Sequence, residues 1–206
     1  MFVRHIIHNN NIFIHRKIIP NSQLSDSSFF FTVNVTLDGS TAHPNLEVDE
    51  KTMRWTGVGT DEPYVLGTIG RGWTSYWEVD VKDKVDWVLG VARETAVSGG
   101  KLDLSRPDRG YWFIRLSNGE TLKAKSPKTA DDDDCLSDED IPEKVGVELD
   151  YRNKKVTFYN PLTGSVIHTF DDGPDYEDEV RPLFSPRNNN QRPIRILSID
   201  PESKTN

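Results

Sequence analysis

Ser75-Tyr76-Trp77-Glu78-Val79-Asp80-Val81, followed after Lys82-Asp83-Lys84-Val85 by Asp86-Trp87-Val88-Leu89-Gly90-Val91, decides how this chain folds. In the first run Trp77, Val79 and Val81 alternate with Tyr76, Glu78 and Asp80. A two-residue period sends successive side chains to opposite faces of a strand, so apolar bulk lines one face and carboxylates the other. The second run is too apolar for a sheet edge, and Gly90 inside it predicts a close backbone approach or a bulge. The short polar link predicts that the two runs are neighbours in one antiparallel sheet.

The same pattern recurs along the chain. Leu46-Glu47-Val48 and Met53-Arg54-Trp55 flank Asp49-Glu50-Lys51-Thr52 as a small hairpin. Gly110 to Leu116 and Glu120 to Ala124 flank Asn118-Gly119, a dipeptide that favours the positive φ angles of a tight turn. Val145, Val147 and Leu149 alternate with Gly146, Glu148 and Asp150, and Asn153 is placed to take the left-handed conformation in the next turn. Val166 to Phe170, Val180 to Phe184 and Ile194 to Ile199 supply further strands. Turn signals every ~8–12 residues, without an amphipathic helix, predict an all-β fold: a two-layer antiparallel β-sandwich.

Bulk properties narrow the function. A net charge of −8 over 206 residues argues against nucleic acid as a partner, because phosphate backbones require a basic face. No apolar run approaches the ~20 residues needed to cross a bilayer, so membrane insertion is not expected. Cys135 is the sole cysteine, which fits a reducing, cytoplasmic setting. It follows Asp131-Asp132-Asp133-Asp134, whose charge raises a thiol pKa where catalysis needs it lowered. The acidic stretches 131–140 and 171–179 lack the ligand pattern of a calcium loop and read as solvated loops. His5, His8 and His15 have no further ligands at metal-site spacing. No metal, cofactor or catalytic group is expected.

Taken in order, these segments resemble the PRY–SPRY (B30.2) domain family. Thr36-Leu37-Asp38-Gly39-Ser40-Thr41-Ala42 is similar to the family's opening motif, with Gly39 where Pro is usual. Tyr76-Trp77-Glu78-Val79-Asp80-Val81 is the second motif, and Val145-Gly146-Val147-Glu148-Leu149-Asp150-Tyr151 with Val156-Thr157-Phe158-Tyr159-Asn160 the third. Arg181-Pro182-Leu183-Phe184-Ser185-Pro186 matches the closing run. The resemblance implies a SPRY-type, concanavalin-like sandwich over residues 33–200. PRY strands would occupy about 33–70 and SPRY about 71–200, with an N-terminal arm over 1–32 and a tail over 201–206. It also implies a non-catalytic module that binds a protein or peptide through loops at one end, as the target-recognition part of a TRIM-like or innate immune protein. The isolated domain is expected to be monomeric. Ubiquitin ligase activity would require a RING domain, whose zinc-binding Cys/His spacing is missing from this chain.

In such a scaffold Trp77, Trp87, Trp112 and Tyr159 fill the core, and specificity sits in the loops. The candidate contacts are Asp61 and Tyr64, on the loop from Thr56 to Tyr64, and Trp73, beside Gly70 and Gly72, where core packing is the competing reading. Arg93 begins a second loop; Arg115, Ser117 and Asn118 mark the Asn-Gly hairpin; Arg187 and Asn188 follow the closing motif. Family members that bind antibody carry tryptophans at the positions of Arg115 and Ser117, so that ligand is not expected here. Two alternatives stand beside this reading. One is a butyrophilin-like domain that senses a small ligand. The other is a sandwich glycosidase using Glu78 and Asp80, which project from one strand face at a spacing that could approach the ~5–5.5 Å of a retaining pair.

Overall fold

The computed structural model describes residues 12–15, 30–58, 62–103, 110–128, 134–136, 141–187 and 192–198. Alternation in the sequence becomes strands β1 (Ile12–His15), β2 (Phe30–Val33), β3 (Thr36–Leu37), β4 (Leu46–Val48), β5 (Thr52–Trp55) and β6 (Val65–Thr68). Next come β7 (Thr74–Asp80), β8 (Trp87–Arg93), β9 (Val97–Ser98), β10 (Lys101–Leu102), β11 (Tyr111–Ser117) and β12 (Thr121–Lys125). The last are β13 (Asp134–Cys135), β14 (Lys144–Asp150), β15 (Lys155–Tyr159), β16 (Val166–Phe170), β17 (Val180–Ser185) and β18 (Ile194–Ile196).

One sheet runs β16-β15-β14-β7-β18-β5-β4, with β2 on β7 and β1 on β2; the other runs β13-β12-β11-β8-β17-β6-β3. Except for the single parallel bridge between Thr32 and Tyr76, the pairings within both sheets are antiparallel. The fold is therefore the two-layer antiparallel sandwich that the alternation predicts. The hairpins over 46–55 and 111–125 form as expected.

The predicted adjacency of the first two runs is incorrect. β7 and β8 lie in different sheets, and residues 81–86 carry the chain across the sandwich. Both sides of β7 are already taken, by β14 on one and by β18 and β2 on the other. β8 is likewise flanked by β11 and β17. Turn chemistry at 150–154 also differs: Lys154, not Asn153, takes the left-handed φ of 52°. Asn153 instead donates its side-chain amide to Asp150 Oδ2 at 2.7 Å, and Asp150 Oδ1 accepts the Arg152 N–H at 2.9 Å.

Between the sheets lies one apolar layer. Trp77, Val79, Val147, Leu149 and Phe158 come from one side, and Trp87, Leu89, Trp112, Ile114 and Phe184 from the other. Trp77 is 1% exposed and Trp87 0%, so the core assignment made from periodicity holds for both, as it does for Trp112 and Tyr159. Gly90 marks the close approach its position predicts: a Cβ there would stand 2.6 Å from Phe113 Cα and collide with the Trp112 carbonyl. Truncating Trp77→Ala should lower stability by ~3–5 kcal/mol, the range for emptying a large core site. Gly90→Ala should cost ~1–3 kcal/mol through forced separation of β8 from β11. Urea unfolding of the two variants checks both.

Candidate functional site

Along β11, Trp112, Ile114 and Leu116 face the core, so Tyr111, Phe113, Arg115 and Ser117 face outward. Register then assembles rows across the outer face of the second sheet. Arg115 lies opposite Lys123 on β12 and Val88 on β8, and Phe113 lies opposite Lys125 and Gly90. Half of this face is sealed: Tyr64, Leu66, Val88, Ala92, Ala96, Tyr111, Phe113 and Leu183 form a second apolar cluster, with Val97 and Leu102 of the β9–β10 hairpin packed on it. The other half carries half-buried Arg115, Ser117, Thr121, Lys123 and Lys125. The sealed apolar cluster and the half-buried basic row thus divide this face between them.

The hairpin tip closing this face is rigidly placed. Asn118 and Gly119 both have positive φ, 54° and 72°. The Asn118 N–H donates to Asp86 Oδ1 at 3.1 Å, and the Gly119 N–H to the Val85 carbonyl at 2.7 Å. The crossover 81–86 thus serves as the hairpin's seat. Within it Lys84 is buried, and its Nζ donates to the carbonyls of Pro186 at 2.9 Å and Arg192 at 3.2 Å. One ammonium therefore holds both sides of the stretch 187–191. Burial pushes its pKa down from 10.5 to about 8, against an opposing pull from Asp86.

The predicted contact residues separate into distinct neighbourhoods. Arg115, Ser117 and Asn118 share the face just described, with Arg187 near by. Arg187 has φ 56°, is only 18% exposed at its side chain, and pairs with Glu62. Tyr64 does not offer a free contact: it is 2% exposed, its hydroxyl donates to Glu62 Oε2 at 3.4 Å, and burial pushes its phenol pKa up. Trp73 and Arg93 lie at the opposite end of the sandwich. β11 alone spans six residue steps between those ends, roughly 20 Å at ~3.3 Å per residue. Asp61 and Asn188 lie outside the described residues.

At that opposite end Trp73 is 48% exposed, so core packing is not its role. Its ring stacks on Tyr176 with centroids 4.1 Å apart. Tyr176 belongs to the acidic stretch 171–179, which is tied down rather than freely solvated. Asp171 pairs with Lys155 at 2.8 Å, Asp178 with Arg93 at 2.7 Å, and the Asp172 carbonyl accepts the Trp112 indole N–H at 3.0 Å. Its contacts reach β15, β8 and β11, so it straps both sheets. The other acidic stretch, 131–140, falls largely outside the described residues.

Sequence reasoning missed Lys84, Glu62, Tyr176, Lys123 and Lys125. Only the last two left a local signal, since Thr121, Lys123 and Lys125 alternate with Leu122 and Ala124. Glu78 and Asp80 are both engaged: Glu78 Oε1 accepts the Tyr76 hydroxyl at 2.9 Å, and Asp80 Oδ1 accepts the Lys82 N–H at 3.0 Å. Among the described residues no group of three His, Cys, Asp or Glu could hold a metal ion. No helix among them is long and apolar enough to cross a membrane.

Comparison with known proteins bears on the family and the fold. The SPRY domain family model matches residues 74–196. Butyrophilin subfamily 1 member A1 of Mus musculus is 36% identical over 182 residues, covering 81% of this chain and 33% of the relative. The E3 ubiquitin-protein ligase TRIM69 of Mus musculus is 33% identical over 182 residues, covering 79% of this chain and 34% of the relative. The chain thus spans about a third of the length of these curated relatives. Among solved structures, the TRIM65 PSpry domain superposes with a TM-score of 0.63 at 17% identity, over 81% of this chain and 90% of that one. Stonustoxin superposes at 0.62 and 18% identity, over 81% of this chain and 29% of that one.

The Lys84 site predicts a pH dependence of defined sign. Its folded pKa lies below its unfolded one, so between about pH 8 and 10.5 the unfolded chain binds more protons and stability rises with pH. The stability difference between the parent chain and Lys84→Met should therefore increase from pH 7 to pH 10, measured by urea unfolding at each pH. A flat difference would show that the ammonium is not held in a desolvated site.

Proposed function

The chain belongs to the SPRY domain family, and on that premise we propose that it is a non-catalytic protein-interaction module reading a protein or peptide partner. We assign the recognition surface to the outer face of the β11–β12 hairpin, with Arg115, Ser117, Asn118, Lys123 and Lys125 at its centre. Arg187 borders it, and Asp61 and Asn188, outside the described residues, stay candidates for it on the sequence alone. The observation that carries this reading is the half-sealed face: an apolar cluster under Tyr64 stops at a row of cationic and polar side chains that the core does not use. Such half-buried cations, held on a strand framework, are placed to fix the register and orientation of a partner's polar groups.

Residues 33–70 are read as the PRY part of the same domain. Their strands complete both sheets, β3 and β6 beside β17, and β4 and β5 beside β18. A framework role suits Glu78 and Asp80, whose carboxylates are held in hydrogen bonds within the fold. The wider setting is inferred as the target-recognition part of a TRIM-like ubiquitin ligase or innate immune protein in the cytoplasm, where the lone Cys135 would stay reduced. The basic row favours a second reading, a small anionic ligand, as in the butyrophilin-like alternative.

Lys123→Glu should reduce partner capture at least tenfold in an affinity pull-down controlled by a hairpin-swapped chain. It should leave Tm within a few degrees, since substitutions at accessible strand positions seldom cost more than ~0.5 kcal/mol. Arg187→Glu should instead lower Tm, because it sets two carboxylates together where Arg187 now meets Glu62. Full capture by the Lys123→Glu protein would remove this face from the reading.

A further inference from the structure

At the far end of the sandwich the two sheets part around a pocket of about 320 Å³. Its walls come from the end of β6 and the Gly70-Arg71-Gly72 loop, from Ser75 at the start of β7, from Tyr151, and from Asp178 to Arg181. Ser75 is 1% exposed, and its Oγ has no hydrogen-bond partner. Leaving a buried hydroxyl unpaired costs stability, so its persistence beside a pocket points to a partner that arrives from outside.

Charge on the walls selects the ligand. The Arg181 guanidinium is fully engaged, with Asp38 at 2.7 Å, Glu94 at 3.2 Å and the Gly67 carbonyl at 2.9 Å. Asp178 is neutralised by Arg93. Among the described residues Glu179 has no cationic partner, and it lines the same pocket at its solvent-exposed rim. Arg71, the remaining wall cation, lies over the Tyr176 ring at 5.4 Å from its centroid, part of a platform in which Trp73 stacks on Tyr176 and Arg152 sits over Trp73. Those rings already carry guanidinium groups of this chain, so they accept cations by their chemistry. The chain's net charge of −8 draws basic partners toward it.

We propose that this pocket is a second binding site, distinct from the β11–β12 face, and that it takes a single cationic side chain, arginine or lysine, of a basic peptide. Glu179 supplies the counter-charge, Ser75 Oγ accepts a hydrogen bond from the cation, and Tyr151 forms the aromatic wall. Trp73, half-exposed on Tyr176, stands beside the path of the residues flanking the inserted side chain.

The test is an NMR titration of the full 15N-labelled chain with N-acetyl-arginine amide and, separately, N-acetyl-glutamate amide. The arginine probe should shift the amides of Gly70, Gly72, Ser75 and Tyr151, and the glutamate probe should not. Glu179→Gln should weaken arginine binding at least tenfold, whereas Arg71→Gln should leave it unchanged or tighter. Ser75→Ala should weaken binding without lowering Tm, because the hydroxyl removed satisfies nothing in the free protein. The proposal is overturned if neither probe shifts these amides, if the glutamate probe does so, or if Glu179→Gln binds like the parent. Shifts confined to Ser117 and Lys123 would also overturn it while leaving the β11–β12 face intact as a recognition surface. A fall in Tm on Ser75→Ala would show that the hydroxyl is already used within the fold, and counts against the site.

Discussion

Strand β8 is dry on both faces, and much of the molecule's organisation serves that requirement. Trp87, Leu89 and Val91 point into the layer between the sheets, while Val88 and Ala92 lie beneath Tyr64 and the β9–β10 hairpin. A strand of this kind needs hydrogen-bonding neighbours on each side and an apolar cover above and below. β11 and β17 supply the neighbours, the first sheet supplies one cover, and Tyr64 with Ala96, Val97 and Leu102 supplies the other. The cover reaches only partway over β11 and β12. Where it stops, Arg115, Lys123 and Lys125 begin. The proposed recognition surface is the boundary that this incomplete cover leaves behind.

The two ends of the sandwich carry different chemistry for related reasons. At the hairpin end the backbone is fixed by side chains from a crossing segment, Asp86 beneath Asn118 and Lys84 beneath Pro186 and Arg192. At the other end an acidic strap spans the sheets and is held by ion pairs to Lys155 and Arg93 and by the Trp112 indole. Partly exposed ion pairs contribute little each. Their number and the shared indole bond are what set the strap, and with it Tyr176 under Trp73.

Much of the architecture was legible because it is local. Trp77 among alternating carboxylates, Val147 and Leu149 likewise, and Asn118-Gly119 between two runs each declare a strand or turn within a few residues. Fold class and hairpins follow from such signals. What failed was long-range: Lys82 to Asp86 has the length of a hairpin loop, and nothing within it says that β8 will join the opposite sheet. That outcome is decided by which edges are already occupied, and those partners lie scattered from β2 to β18. The candidate site divides in the same way. Asn118 and Arg115 stood out by position, and Trp73 by its glycine neighbours. Tyr176 lay hidden in an acidic run whose charges read as solvated, and Tyr64 looked exposed because its cover, the β9–β10 hairpin, is distant in sequence. Lys84 could not be found, since its acceptors are carbonyls 102 and 108 residues away.

That lysine grips main-chain oxygens, which every amino acid provides. The clasp is therefore blind to which side chains stand between Pro186 and Arg192. Of the chain between those two carbonyls, Arg187 is tied separately by its pairing with Glu62, and the clasp itself demands no particular side chain at either of its anchorage points. A clasp of this kind separates how the backbone is held at Pro186 and Arg192 from which side chains those residues carry.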